Sequence, residues 1–389
     1  MGDSFFSPGQ EFRKDKAADI IACSDFRGLV QSGDLMAIYV NIGTGGSKDG
    51  NIAQQCYLFS FLCINFLFFL LFSNYFQENN LTVVTQFLLM GFQGSRDLRV
   101  FLFFLFLVVY CGTICGNLLI ITLVSTSKNL HTPMYFFISQ LSISDILLTT
   151  DIVPNILYII LNNGGTITFF SCITQFYFFC VSITSECLLL AVMSYDRYVA
   201  ICNPLRYASI MTSAHCVKLA SMCWMFGFTI ILSDNISISM LKFCGPNVIN
   251  HFFCDLVPLL AISCSDTFIV ELEMYVLSFP VAIIPSTIII TSYVKIVSTI
   301  LNIPSSMGRQ KAFSTCSSHL TVVSIFYWTL FSVYVFPTKE QSSTICKILS
   351  LLYTVLTPFI NPVIYSLRNK DIKKAIQETR WKHFLNNIP

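Results

Sequence analysis

Charge is what this chain of 389 residues is shortest of: Asp, Glu, Lys and Arg together make up 11% of it, where a soluble domain carries about 25%. With 54% of its residues hydrophobic and a mean hydropathy of +0.68, the surface left after folding cannot be solvated by water. An excess of one sign is missing too. The net charge is +2, and the Lys and Arg residues fall in short clusters between apolar runs rather than along one stripe. The footprint of a polyanion binder is absent, so nucleic acid is not an expected partner. No zinc-protease His-Glu-x-x-His, nucleophile-elbow Gly-x-Ser-x-Gly or phosphate-binding loop occurs, which argues against an enzyme. Nor does an internal repeat relate two halves of the chain, as it does in many transporters.

What the chain has in abundance is long apolar runs. From Val100 onward there are seven: Val100 to Val124, Met134 to Leu161, Cys172 to Met193, Leu219 to Leu241, Met274 to Ile300, Leu320 to Pro337 and Ile345 to Leu367. A helix satisfies all its own backbone hydrogen bonds, which the hydrocarbon core of a bilayer demands. The expected fold is therefore all-α, a bundle of seven transmembrane helices. Pro154, Pro280, Pro285, Pro358 and Pro362 interrupt these runs and mark expected kinks,. Most of the sixteen cysteines lie inside the runs, where Cys behaves as a small hydrophobe.

Residues 1–77 read differently. The first fifty are mixed, with Gly43, Gly45, Gly46 and Gly50 and no sustained period, and receive no fold. Residues 57–72 form an apolar run broken by Asn65, shorter than the roughly 20 residues a comfortable span needs. The nearest preceding basic residue is Lys48, a poor match to a signal peptide. Residues 78–99 are expected to be an extracellular segment, 100–368 the membrane domain and 369–389 a cytoplasmic tail.

Basic residues in short loops stay cytoplasmic and set the orientation. Lys128, Arg197, Arg206, Lys218, Lys295, Arg309 and Lys311 mark one side, joined by Arg368, Lys370, Lys373, Lys374, Arg380 and Lys382 after the last run. The other side has little beyond Arg96, Arg99, Lys242, Lys339 and Lys347. This places the amino-terminal end outside and the carboxyl terminus inside, in a multi-pass plasma-membrane protein. Asn80-Leu81-Thr82 is a glycosylation sequon on the outer side,. Within Asn369 to Phe384, Ile372, Ala375, Ile376 and Phe384 alternate with basic residues, which suits either a short interfacial helix or a disordered basic tail.

Ionisable side chains are expensive inside a membrane, so those in the runs invite a functional reading. Asp145, Asp151 and Glu186 stand out, with Lys295 and Lys347 near run ends. Asp145 and Glu186 lie at comparable depth and, with Asn117, Asn361 and nearby hydroxyls, can form a polar centre. That centre either holds a sodium ion through oxygen ligands or merely fixes helix packing. An ion path for a transporter or channel is the rival use of the same residues. The third run ends in Met193-Ser-Tyr-Asp196-Arg197-Tyr198-Val-Ala-Ile-Cys-Asn-Pro204-Leu-Arg206-Tyr207, where Asp196 and Arg197 can pair and rearrange. After the fourth run come Cys244, Cys254 and Cys264, with Cys172 opening the third. Four cysteines allow three pairings, while His251-Phe-Phe-Cys254-Asp255 offers too few ligands for a tetrahedral metal site.

These strings carry a resemblance. Gly116-Asn117, Leu130-His-Thr-Pro-Met-Tyr-Phe-Phe137, Met193 to Tyr207, Lys311-Ala-Phe-Ser-Thr-Cys-Ser-Ser-His-Leu320 and Pro358-Phe-Ile-Asn-Pro-Val-Ile-Tyr-Ser-Leu-Arg-Asn369 appear in order. The chain from about Asn80 onward resembles the odorant-receptor family of rhodopsin-like G-protein-coupled receptors. The resemblance implies that Arg197, flanked by Asp196 and Tyr198, engages a heterotrimeric G protein. It implies that Tyr365, in the string begun by Asn361 and Pro362, swings inward on activation and that His319 serves the inactive state. It makes Asp145 and Glu186 a sodium-site pair, and pairs Cys172 with Cys254 and Cys244 with Cys264. No other cofactor is implied. The matched pocket positions are Phe179, Cys180, Ile183, Thr184, Tyr327, Leu330, Tyr334 and Thr354. Their apolar and aromatic character suits a small, volatile or weakly polar organic ligand. A charged amine ranks lower, because no acid occupies the part of the third run where amine receptors keep a counter-ion. The implied output is a stimulatory G protein and cyclic AMP. Two departures stand out: Trp328 replaces a small residue and is expected to add bulk near the pocket floor, and residues 1–77 exceed the family's usual leader, suggesting that they are not part of the native protein. A non-olfactory receptor of the same superfamily is the remaining alternative.

Overall fold

The computed structural model describes residues 84–334, 343–368 and 371–378. The apolar run at 57–72, the sequon at Asn80 and the rest of the leader lie outside the described residues. Eleven helices are labelled here in chain order. Four long ones come first: α1 (Arg96–Thr126), α2 (Pro133–Asn162), α3 (Phe169–Cys202) and, after the short α4 (Pro204–Ile210), α5 (Ser213–Ser239). Then follow the short α6 (Leu256–Ala261), α7 (Phe268–Leu301), α8 (Ser306–Tyr334), α9 (Ser343–Leu351) and α10 (Thr357–Arg368), with α11 over residues 371–378. Among the described residues, six stretches are long and apolar enough to cross a membrane: α1, α2, α3, α5, α7 and Ile345–Ser366. The remaining long helix, α8, has 29 residues, but its Ser, Thr and His residues dilute its apolar character. It completes the seven-helix bundle.

The helices begin where local chemistry favours them. The Ser95 hydroxyl accepts from the Leu98 amide at 3.3 Å, and the Thr168 hydroxyl accepts from the Ser171 amide at 3.2 Å. Such caps satisfy amides that the first turn leaves orphaned. Pro133 and Pro204 occupy first-turn positions where a missing N–H costs nothing,. At the far end of α2, Asn163 adopts a left-handed conformation with φ 56°, which stops the helix.

The chain is not wholly helical. Three short strands, β1 (Gln86–Leu89), β2 (Gly165–Thr168) and β3 (Val248–Ile249), form a sheet in the order β2-β1-β3. β1 runs antiparallel to β2, with Phe87 opposite Ile167, and parallel to β3, with Leu88 opposite Val248. All three lie before α1 or in the α2–α3 and α5–α7 connections, hence at one end of the bundle. Phe87 and Leu89 point into the bundle and are fully buried.

Two apolar clusters fill the interior. The one beneath the sheet gathers Phe87, Phe176, Phe179, Phe252, Phe253 and Tyr353. The other, at the opposite end, gathers Tyr135, Phe137, Met193, Tyr293, Phe326 and Tyr365. On the flank between α1 and α10, Gly112 and Gly116 give the spacing that lets two helices approach closely in lipid. A Cβ at Gly112 would lie 2.8 Å from the Phe359 ring, and one at Gly116 would lie 3.1 Å from Pro362. The segment entering α10 is a π-helical turn at Leu352–Leu356, placed just before Pro358, whose ring cannot join a regular ladder.

Candidate ligand pocket and signalling face

The end opposite the sheet is a polar network built on α3. Arg197 donates from Nε to Asp196 Oδ2 at 2.9 Å, and its Nη2 pairs with the same oxygen. The other oxygen, Oδ1, accepts from the Tyr207 hydroxyl at 2.8 Å. Asp196 is thus fully buried with both oxygens satisfied, and Arg197 is held against its own helix. Burial, and after it the Asp196 charge, push the Tyr207 phenol above its ordinary value, so it remains a donor. Tyr198, which flanks the pair, is half-buried against the inner cluster. Across the bundle His319 Nδ1 lies 2.6 Å from the Tyr293 hydroxyl, with the two rings stacked at 6.0 Å. Tyr365 is buried in the same inner cluster. The Tyr135 hydroxyl donates to Asp371 at 2.9 Å, tying α11 to the start of α2, and α11 buries Ile372 and Ala375.

At mid-depth the proline chemistry is resolved by an amide. Pro362 has no N–H for the carbonyl of Pro358, one turn earlier, and the Asn117 side chain of α1 donates to that carbonyl at 3.3 Å. Asn361 donates to Asp145 at 3.0 and 3.2 Å. Glu186 is close enough to act on Asp145 electrostatically, and its Oε1 has no hydrogen-bond partner. The Ser144 hydroxyl lies beside Glu186 and donates to the carbonyl of Ser182. Two carboxylates, an amide and a hydroxyl form a hard-oxygen set of the kind sodium accepts, whereas no cluster of three or more His, Cys, Asp and Glu residues suited to a metal occurs among the described residues,.

The sheet end is cross-linked. Cys172 is joined to Cys254 and Cys244 to Cys264, so Cys254 offers no thiolate to a metal in the His251 to Asp255 string. The first bond ties the start of α3 to the loop after α5. Gln175 reinforces it, donating to the Asp151 carbonyl at 3.0 Å and accepting from the Cys254 amide at 3.1 Å. Lys347, 5% exposed, donates to the Gly91 carbonyl and to Asn250 Oδ1, both at 2.6 Å. His251 packs edge-on against Phe253 at 4.6 Å and bonds Ser350 through Nε2 at 3.1 Å. Burial, then the nearby Lys347 cation, lower the His251 pKa to about 4, while burial raises that of Asp255 to about 6.

Below this lid lie the pocket positions. Phe179 is fully buried, 5.2 Å from the Phe253 ring and 5.9 Å from that of Tyr353. Thr354 is buried with its hydroxyl bonded to the Ser350 carbonyl at 2.8 Å. Cys180 and Ile183 pack against the outer cluster, and Ile183, Tyr327 and Leu330 against the inner one. Thr184 is buried near the junction, and Tyr327 lies near Cys187 and Ser286. The Tyr334 side chain lies outside the described residues. Trp328 departs from expectation: it is 65% exposed, because one residue turns a helix by about 100° and carries it off the inward face used by Tyr327 and Leu330. It adds no bulk to the pocket floor. Sequence reasoning also passed over Asp234. This acid on α5 is 1% exposed, and neither carboxylate oxygen has a hydrogen-bond partner. A lone Asp inside the Leu219 to Leu241 run was the available signal.

Comparison with known proteins decides the family. The olfactory receptor family model matches residues 106–382. The chain belongs to the olfactory receptor family. Olfactory receptor 11L1 of Homo sapiens is 47% identical over 302 residues, covering 78% of this chain and 94% of the relative. Olfactory receptor 6F1 of Homo sapiens is 48% identical over 303 residues, covering 78% and 98%. Olfactory receptor 287 of Rattus norvegicus is 47% identical over 300 residues, covering 77% and 96%. As an olfactory receptor the chain is a multi-pass membrane receptor and not an enzyme, and the transporter reading of Asp145 and Glu186 gives way.

Proposed function

We propose that this receptor binds small, volatile or weakly polar organic ligands beneath the disulfide-pinned lid and activates a stimulatory heterotrimeric G protein, raising cyclic AMP. The observation that carries the reading is the arrangement at the inner end of α3. Arg197 is held by Asp196, and Asp196 by Tyr207, in an arrangement that can open without unfolding anything. On activation, α8 moves away from α3, the Tyr293–His319 contact breaks and Arg197 is released toward the G protein. Tyr365, Asn361 and Pro362 carry the change through the bundle, with Tyr198 beside the released arginine. Leu205, on α4 next to this site, is 99% exposed and supplies an apolar anchor for the same partner. A ligand shifts the balance only by its differential affinity for the open form.

The basic loops support an orientation with the sheet and disulfides outside and α11 inside, where its Lys373 and Lys374 meet anionic lipid headgroups. Glycosylation at Asn80 belongs to the outer side. Phe179, Cys180, Ile183, Thr184, Tyr327, Leu330, Tyr334 and Thr354 are the proposed ligand contacts. Sodium between Asp145 and Glu186 would favour the closed form by offsetting the repulsion of two buried carboxylates. The test is a cyclic-AMP assay of the chain at the cell surface against a broad panel of small organic ligands. Agonist responses in the native chain and none in Arg197→Ala at equal surface level support the reading; equal responses in both overturn the coupling mechanism.

A further inference from the structure

The flank between α1 and α10 carries a groove that neither the ligand pocket nor the signalling face uses. It holds about 360 Å³, the size of a small-ligand site, and its walls come from three helices. α1 contributes Gly112, Gly116 and Leu123, α10 contributes Pro362, and α11 closes one end with Ile372 and Ile376. Glycine has no side chain to cover the seam. The one polar residue of the lining, Ser366, already donates its hydroxyl to the Val363 carbonyl at 3.2 Å, so nothing in the walls calls for a polar occupant. Gly112 stands at the middle of α1 and Leu123 near its last turn. The rise between them is about 16 Å, half of a hydrocarbon core of roughly 30 Å. The groove is therefore one leaflet deep. An unfilled gap there forfeits dispersion contacts on both walls, and an acyl chain has the length and the chemistry to restore them.

The α11 end supplies a charge. The Tyr135 bond to Asp371 and the burial of Ile372 and Ala375 fix α11 against the bundle. Successive residues of a helix turn by about 100°, so Lys373 borders the side that carries Ile372 and Ile376, while Lys374 lies across the helix from it. Lys374 also has a partner, Glu378 at 3.8 Å. Lys373 is exposed and belongs to neither of the ion pairs found among the described residues, Arg197–Asp196 and Lys374–Glu378. An apolar slot one leaflet deep thus ends beside a free ammonium group. We propose that the groove binds one anionic phospholipid of the inner leaflet, with an acyl chain lying along α1 from Leu123 toward Gly112 and the headgroup on Lys373. The choice of leaflet rests on the orientation proposed above. What was a diffuse attraction of α11 for headgroups becomes one site with one basic contact.

The probes are dioleoylphosphatidylserine and dioleoylphosphatidylcholine, which share their acyl chains and differ in headgroup charge, added to the full chain in uncharged detergent micelles. Native mass spectrometry counts the lipid retained, and the thermal midpoint reports its effect. The serine lipid is expected to be retained once per chain and to raise the midpoint by at least about 2 °C more than the choline lipid. Lys373→Gln is expected to require about fivefold more serine lipid for the same shift and to leave the choline effect in place. Lys374→Gln removes the same charge from the far side of α11 and is expected to behave as the native chain. Leu119, exposed on the groove wall, becomes a plug in Leu119→Trp, which is expected to lose the effect of both lipids. Equal shifts from the two lipids, equal effects of the two lysine variants, or a full shift in Leu119→Trp would overturn the proposal. So would a larger shift from cholesterol or a lipid-free dimer, which would assign the groove to a sterol or a second copy. If Leu119→Trp fails to fold, the lysine pair still decides. Antibody access to a carboxyl-terminal tag in intact cells tests the orientation separately: access would overturn the choice of leaflet and leave the site, whereas equal lipid shifts overturn the site and leave the orientation.

Discussion

The two halves of the bundle are held together by different chemistry. Beneath the sheet, covalent links and aromatic packing do the holding. Two disulfides, three strands and the Phe179, Phe253 and Tyr353 rings fix the loop over the pocket. Polar groups there are left over: Asp234, Asp151 Oδ2 and His251 Nδ1 have no hydrogen-bond partners. At the other end a connected polar network runs through Asp196, Arg197, Tyr207, Tyr293, His319, Tyr135 and Asp371, with His319 Nε2 and the Tyr365 hydroxyl left without partners. A half fixed by bonds but short of partners suits reception of a ligand. The half fixed by exchangeable contacts suits a change of state, because each contact is of the size a ligand's differential affinity can overcome.

Breaking the covalent side gives the largest effect. Cys172→Ser removes the link to Cys254, and loss of a native disulfide typically costs about 2–5 kcal/mol. Surface labelling at equal total expression is expected to fall to near background. Next comes Asn117→Ala, which leaves the Pro358 carbonyl buried without its donor, at a cost of about 1–3 kcal/mol. It is expected to lower the thermal midpoint by several degrees, and an unchanged midpoint would show that the carbonyl finds another donor.

Tyr207→Phe acts on the exchangeable side. It takes one partner from Asp196, loosens the hold on Arg197 and is expected to raise ligand-free cyclic AMP about two- to fivefold, for a shift near 0.5–1 kcal/mol. Unchanged basal signal at equal surface level would argue that Tyr207 only packs. The smallest effect tests the lid. His251 titrates at about 4 in the fold against its ordinary 6.5, so the unfolded chain binds the proton first. Stability is complete above pH 6.5 and declines as pH falls toward 4. Asp255, raised from 3.8 to about 6, works in the opposite sense: the fold takes up its proton first, and acidification between 6 and 3.8 stabilises. Thermal midpoints from pH 7 to pH 5 are therefore expected to fall in the native chain, and in His251→Asn to lose that fall and show the Asp255 trend alone.

The inner half was the more legible in sequence. Its motifs are contiguous strings, and contiguous residues on one helix share surroundings. The fold class was legible too, because apolar runs of spanning length have one solution in a bilayer. The helix ends were not: α3 runs from Phe169 to Cys202, well past the apolar run ending at Met193, since polar residues continue a helix without extending its hydrophobicity. The sheet escaped notice because β1 has four residues and β3 two, and their pairing depends on which loops meet in space. Asp234 is hard to read in sequence because one acid in a 23-residue apolar stretch does not show by itself that its side chain turns inward and is buried without hydrogen-bond partners. Trp328 shows the converse, a conspicuous residue whose helical phase turns it to the outside.

The most direct test of the division of labour is the agonist response of Arg197→Ala compared with the native chain, read as cyclic AMP at equal surface expression, alongside agonist-induced thermal stabilisation of both. The account predicts that the variant is silent while its stabilisation by ligand stays within about twofold in concentration of the native value. A variant that signals normally, or one that no longer binds ligand, would contradict it.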